Sequence, residues 1–167
     1  MTEKIWVYKL MGTLILLMAS VIYGSKKIAE ERRRLREAEA LADLVEHISG
    51  QIEYTMKPLP EILGAYQSEI LASGAFTEVA CTYGLGKAWD AYGFGIGLPD
   101  GDFKRIFRDF TREIGRGYRK EELELCSLTL KQLRTEIDKY KEDSLGREKL
   151  YRTLPPMMVL SVVLIVM

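Results

Sequence analysis

The chain has 167 residues, and its 24 lysines and arginines balance 24 aspartates and glutamates, leaving a formal net charge of zero at pH 7. That balance excludes a general electrostatic attraction to nucleic acid. The length holds one domain with a modest core, and Cys81 and Cys126, in no metal-like spacing, read as free packed thiols of a reducing compartment.

Residues 10–23 (LMGTLILLMASVIY) carry no charge, and Lys9 is the single charge between residues 5 and 25. As a helix, residues 5–25 span about 31 Å, enough for a hydrocarbon core of about 30 Å. A cleaved signal peptide fits this run poorly, because the lysines come after it and no small-x-small site precedes Lys26. Lys26, Lys27, Arg32, Arg33, Arg34 and Arg36 come after the run, against Lys4 and Lys9 before it. Because basic residues stay on the cytoplasmic side, the chain beyond residue 25 is expected in the cytoplasm and the N-terminus outside.

From residue 26 the pattern turns helical. Ile28, Leu35, Ala38, Leu41, Ala42, Val45, Ile48, Ile52 and Met56 recur at threes and fours, opposite a densely charged face. This helix has no reason to stop where the membrane run ends. Lys57-Pro58-Leu59-Pro60 stops it, since a residue before proline is pushed out of helical geometry. Pro60 opens the next helix at its first position, with Ile62, Leu63, Tyr66, Ile70 and Leu71 as its buried face.

Two short helices are predicted around 76–83 and 85–92, the second turning Ala88, Trp89 and Tyr92 inward. The glycine-rich stretch 93–101 (GFGIGLPDG) is a loop. Phe103, Ile106, Phe107, Phe110 and Ile114 mark an aromatic-lined helix ended by Gly115 and Gly117. Leu123, Cys126, Leu130, Leu133, Ile137, Tyr140 and Ser144 stripe a long last helix.

Residues 154–167 (LPPMMVLSVVLIVM) are again uncharged, with Pro155 and Pro156 placed near a helix start, where missing amide donors cost little. The run measures about 21 Å as a helix, so spanning requires recruiting Leu150 and Tyr151, little tilt, or local thinning of the bilayer. A buried core helix or hydrophobic tail is the competing reading. Arg147, Lys149 and Arg152 precede it and nothing basic comes after, which again puts the middle inside and the terminus outside. No alternating strand pattern appears. The expected architecture is all-α, with an N-terminal transmembrane segment (1–25), a compact cytoplasmic bundle of about six helices (26–153) and a C-terminal transmembrane segment (154–167).

No constellation for catalysis assembles. His47 stands alone, without a second histidine or paired cysteine, and takes a structural or solvent-facing role. Gly84-x-Gly86 and Gly93-x-Gly95-x-Gly97 come after no strand and lack the lysine-serine ending of a phosphate loop. The carboxylates Glu30, Glu31, Glu37, Glu39, Glu121, Glu122, Glu124 and Glu136 scatter along polar helix faces, where solvation and i, i+4 pairing account for them. A non-enzymatic protein without cofactor or metal is expected. Topology accounts for Arg32-Arg33-Arg34, which stands at the height of anionic lipid.

Several stretches together resemble one family. The N-terminal apolar segment, the REAEALADLVEHI helix and Ile52-x-Tyr54-x-x-x-Pro58-Leu59-Pro60-Glu61-Ile62-Leu63 look like the stage III sporulation protein AB family of endospore-forming bacteria. Gly86-Lys87-Ala88-Trp89 is similar to its short Ala-Trp helix, and residues 114–122 to its Leu-Gly-x-Ser-Asp turn. The likeness covers essentially the whole chain, and Pro-Leu-Pro is its most distinctive part. Tyr118 and Arg119 depart from the family's serine and aspartate, removing the usual helix cap, and its glutamine is not evident among Glu122, Leu123 and Glu124. Pro155-Pro156 replaces small glycines, which weakens any close packing of the two membrane helices.

The resemblance implies a fold like the cytoplasmic domains of the platform protein of type II secretion and type IV pilus machines. It also implies a place in the mother-cell-to-forespore secretion complex of the outer forespore membrane. The expected partners are the stage III sporulation protein AA ATPase, other membrane proteins of the stage III sporulation A operon and the bilayer, with a homo-oligomer compatible. Three contact surfaces are nominated: Arg32, Arg33 and Arg36 on the first helix; the corner Pro58, Leu59 and Pro60; and the rim Lys104, Arg105, Arg108 and Arg112. A self-associating membrane scaffold without a motor is the alternative.

Overall fold

The computed structural model describes residues 2–166 apart from 56, 67, 94 and 100; side chains at 2–10, 72, 73, 152, 155, 156, 159, 160 and 162–166 also lie outside the description. Met56 of the first stripe and two positions of the glycine-rich loop, Phe94 and Asp100, therefore fall outside it. Among the described residues six α-helices run in order: α1 (Thr2–Tyr54), α2 (Leu59–Ala65), α3 (Ala75–Tyr83), α4 (Leu85–Tyr92), α5 (Phe103–Glu113) and α6 (Arg119–Val166). A 3-10 turn at Leu71–Gly74 precedes α3, and no strand occurs among the described residues. The chain divides into two units: residues 1–32 with 142–167, and residues 33–141.

The second unit holds the core. From α1, Ala38, Leu41, Ala42, Val45, Ile48 and Ile52 are buried as the periodicity requires; from α6, Cys126, Leu133, Ile137 and Tyr140 are buried. The pair runs antiparallel: Glu46 meets Arg134 (3.0 Å) and Glu39 meets Lys141 (2.9 Å), so partners rise in number on one helix as they fall on the other. Phe107 of α5 is fully buried, its ring 5.1 Å from Trp89, 5.8 Å from Phe110 and 6.2 Å from Phe76. Those tilted spacings suit the ring quadrupoles as well as area burial. His47 takes a structural place, its ring 5.2 Å from that of Tyr66, whose hydroxyl donates to the Ala40 carbonyl at 3.2 Å.

α2 begins one residue earlier than its sequence suggests. Pro58 is the N-cap, its carbonyl accepting from the Glu61 and Ile62 amides, so Leu59 is the first helical residue and Pro60 the second. A missing N–H is harmless at either place. α2 ends at Ala65, so Ile70 escapes the helical face assigned to it and is 48% exposed.

In the first unit, α1 keeps one covered face along its apolar run. Among residues 11–25 only Thr13, Leu17, Ser20 and Gly24 are not exposed, a four-three-four spacing that marks a helix-pairing seam. Where Gly24 would carry a Cβ, the Tyr151 carbonyl oxygen of α6 stands 2.6 Å away. Arg32 meets Glu148 (2.6 Å) and Glu31 meets Arg147 (3.7 Å), again antiparallel. One expectation needs correcting here. Pro155 and Pro156 lie inside α6 and not near a helix start, because helix already runs through residues 141–154. One turn before them the two helices approach closely at Gly24 and Tyr151. A proline at 155 gives no N–H to the carbonyl four residues back, and that freed carbonyl, Tyr151, is the one Gly24 approaches.

Candidate partner-binding surfaces

α5 owes its two faces to a three-four alternation. Phe103, Ile106, Phe107 and Phe110 point into the core, leaving Lys104, Arg105, Arg108 and Arg112 exposed. The arginines are lightly engaged: Arg105 Nε donates to Asp102 at 3.1 Å, and Arg108 lies 3.7 Å from Asp109. Solvent-exposed pairs of this kind add little to stability and release their cations readily to a competing partner. The ridge thus combines a fixed backbone with available positive charge.

The corner sits at one end of this unit. Pro58 and Pro60 are exposed, while Leu59 turns inward until its Cδ2 lies 3.4 Å from where a Gly115 Cβ would be. Gly115 takes a φ of 85°, in the left-handed region glycine favours, just past the end of α5. The structure therefore brings two of the three nominated surfaces together, the corner and the Arg112 end of α5. The first-helix arginines, at i, i+1 and i+4 on α1, are all exposed. Arg32 is paired with Glu148, Arg33 lies 3.8 Å from Glu37, and Arg36 is exposed.

Sequence reasoning missed three features. Tyr54 and Tyr118, 83% and 84% exposed, are the most exposed large apolar side chains among the described residues. They flank the place where Arg119 closes α1: its Nε donates to the Ile52 carbonyl at 3.0 Å, and a second guanidinium nitrogen donates to the Glu53 carbonyl. The departure at 118–119 therefore leaves neither helix uncapped. Arg119 satisfies the last turn of α1, and Glu121 accepts from the Tyr118 amide at 3.0 Å at the start of α6.

Glu37 is the third. It is not a solvated face residue but only 5% exposed, and it accepts from the Gly97 amide while Arg33 stands beside it. One carboxylate thus ties the glycine-rich loop to α1. Replacing Glu37 with alanine leaves that half-buried amide without its acceptor and is expected to cost about 1–2 kcal/mol. Urea unfolding of the detergent-solubilised protein checks this; a midpoint unchanged from wild type contradicts the assignment.

Both thiols are free. Cys126 is fully buried, and burial, then Glu122, pushes it up to about 12. Cys81 donates to the Leu63 carbonyl at 3.0 Å and is pushed up by burial in the wall of an open groove of about 410 Å³. Neither has the lowered pKa of a nucleophile. At pH 8 only about one part in ten thousand of Cys126 is thiolate, so iodoacetamide should label Cys81 first and Cys126 only on denaturation. Mass spectrometry of labelled peptides checks the order. Because the raised thiol keeps its proton when folded and loses it when unfolded, it adds stability below about pH 9 that is lost as pH rises toward 12.

A model of the protein family described as stage III sporulation protein AB matches residues 9–167. No curated protein and no solved structure matches the chain.

Proposed function

The chain belongs to the stage III sporulation protein AB family and so takes a role in stage III of sporulation; from this premise we propose that it is a non-enzymatic platform subunit of the mother-cell-to-forespore secretion complex. On this reading residues 33–141 stand in the mother-cell cytoplasm and dock the stage III sporulation protein AA ATPase. The apolar ends of α1 and α6 cross the outer forespore membrane, with both termini outside, and carry the motor's cycle to the other membrane components of the A operon.

The observation that carries the reading is the α5 ridge, where Lys104, Arg105, Arg108 and Arg112 stand on the back of an aromatic core helix. A charged surface fixed to a packed element loses little entropy on docking an acidic face. The apolar part of α1 supports the membrane placement: the stretch beginning at Met11 is apolar enough to cross a bilayer, and 6% of its most apolar window is buried. The loop 93–101, held to Glu37, reverses the chain as a folded unit needs and an extended coiled-coil scaffold does not.

The test is co-purification of the full-length protein in nanodiscs with the ATPase. Arg105→Glu with Arg108→Glu, both on exposed positions, should weaken binding at least ten-fold while thermal stability stays unchanged. A folded wild-type protein that captures no ATPase at micromolar concentration sinks the reading and leaves the self-associating scaffold.

A further inference from the structure

The second unit carries two surfaces of opposite sign. One is the α5 ridge. The other is the open groove of about 410 Å³ along α3, with Cys81 in its wall. Glu69 and Glu78 line it, both exposed, and neither carboxylate has an ion pair or hydrogen bond among the described residues. No lysine or arginine stands among the described lining residues.

The donors of this lining are spent inward. Thr77 Oγ1 donates to the Gly74 carbonyl at 2.8 Å, and Thr82 Oγ1 to that of Glu78 at 3.0 Å. The Cys81 thiol serves the Leu63 carbonyl and the Tyr66 hydroxyl that of Ala40. What remains is acceptor: hydroxyl lone pairs, a thiol sulfur and two carboxylates. Such a lining suits a charged group that only donates, a guanidinium or an ammonium. A metal ion finds too few ligands, since no three His, Cys, Asp or Glu side chains gather to hold one among the described residues.

The chain cannot fill this groove with its own ridge. α5 gives no residue to the lining, and buried Phe103, Phe107 and Phe110 fix that helix in the core. The ridge of a second copy has no such constraint. Lys104, Arg108 and Arg112 recur at i, i+4 along one face, and Arg112 has no acidic partner among the described residues. Arg105 and Arg108 hold only their exposed pairs with Asp102 and Asp109.

We propose that copies of this chain associate through these two surfaces, the α5 ridge of one entering the groove of Glu69 and Glu78 on another. Exposed opposite charges attract weakly, and confinement of both copies to one bilayer, as in the placement proposed above, raises their effective concentration. The contact goes beyond the platform reading and does not rest on it. On any one copy, the second copy and the motor compete for the ridge.

The experiment is energy transfer in proteoliposomes between full-length copies carrying donor or acceptor dyes on the N-terminal amine. Wild type should show transfer beyond random proximity that titrates out as lipid is added. Glu69→Lys with Glu78→Lys, or Arg105→Glu with Arg108→Glu, should weaken association at least ten-fold, because like charges then meet. Mixing these two double variants should restore it to within about three-fold of wild type, because each ridge again faces a groove of opposite charge. Glu124→Lys with Asp138→Lys, at exposed positions of α6, changes net charge equally and should neither weaken association nor repair the ridge variant. No transfer beyond random proximity in wild type, or equal loss in the α6 variant, overturns the proposal. Loss in the groove variant without repair by the ridge variant overturns it too, assigning the groove to a basic segment of another protein. The groove variant keeps its ridge, so its capture of the ATPase separates a failure here from a failure of the platform reading.

Discussion

Phe107→Ala is expected to lower the unfolding free energy by about 4 kcal/mol, the largest single-residue effect in the chain. A buried phenylalanine truncated to alanine loses its transfer energy and leaves a cavity, together about 3–5 kcal/mol. Phe107 belongs at the upper part of that range because three rings, Phe76, Trp89 and Phe110, each lose a partner at once. These rings come from α3, α4 and α5, so the core cannot collapse into the hole by moving one helix. Phe107→Leu restores most of the volume without the ring edges and should cost about half as much. Urea midpoints in detergent measure both. A Phe107→Ala loss below about 1 kcal/mol would mean that Phe107 is not the centre of the core.

The helical layout was legible because nearly every element has an amphipathic stripe. Ile48 and Leu133 are fully buried where three-four spacing puts them, and the short α3 and α4 begin and end close to where their flanking glycines suggest. Ile70 broke the pattern because α2 stops at Ala65, and the end of a seven-residue helix is set by packing that no local spacing records.

The contact features were less legible, for a different reason. Glu37 sits in a run of charges and looks like its neighbours; its distinguishing partner is a backbone amide 60 residues away. Arg119 likewise serves a carbonyl 67 residues upstream, a role no periodicity reports. Long side chains reaching across a fold to backbone groups are invisible to patterns that score only apolar spacing. The α5 ridge was legible because its basic residues share one face of a single helix.

Two glycine-to-alanine substitutions in the first unit should act in opposite directions, and their signs test the helix pairing more sharply than either magnitude. At Gly146 an added Cβ meets nothing within 4 Å, so alanine should stabilise α6 by up to about 1 kcal/mol through helix propensity alone. At Gly24 the same atom would lie 2.6 Å from the Tyr151 carbonyl oxygen. A backbone oxygen cannot swing aside as a side chain does, so the helices must separate or slide. Either movement takes Gly24 away from a carbonyl that the proline at 155 has deprived of its helical donor, and it disturbs the Arg32–Glu148 and Glu31–Arg147 pairs. Overpacking of this kind costs about 1–3 kcal/mol, and contact with backbone places Gly24→Ala near the upper end. Propensity offsets only a fraction of it. Cysteines introduced at Glu31 and Arg147 in a background lacking Cys81 and Cys126 report the pairing directly. A short bis-maleimide should bridge them efficiently with Gly24 or with Gly146→Ala, and several-fold less with Gly24→Ala. Equal bridging in all three would mean that α1 and α6 do not meet at Gly24.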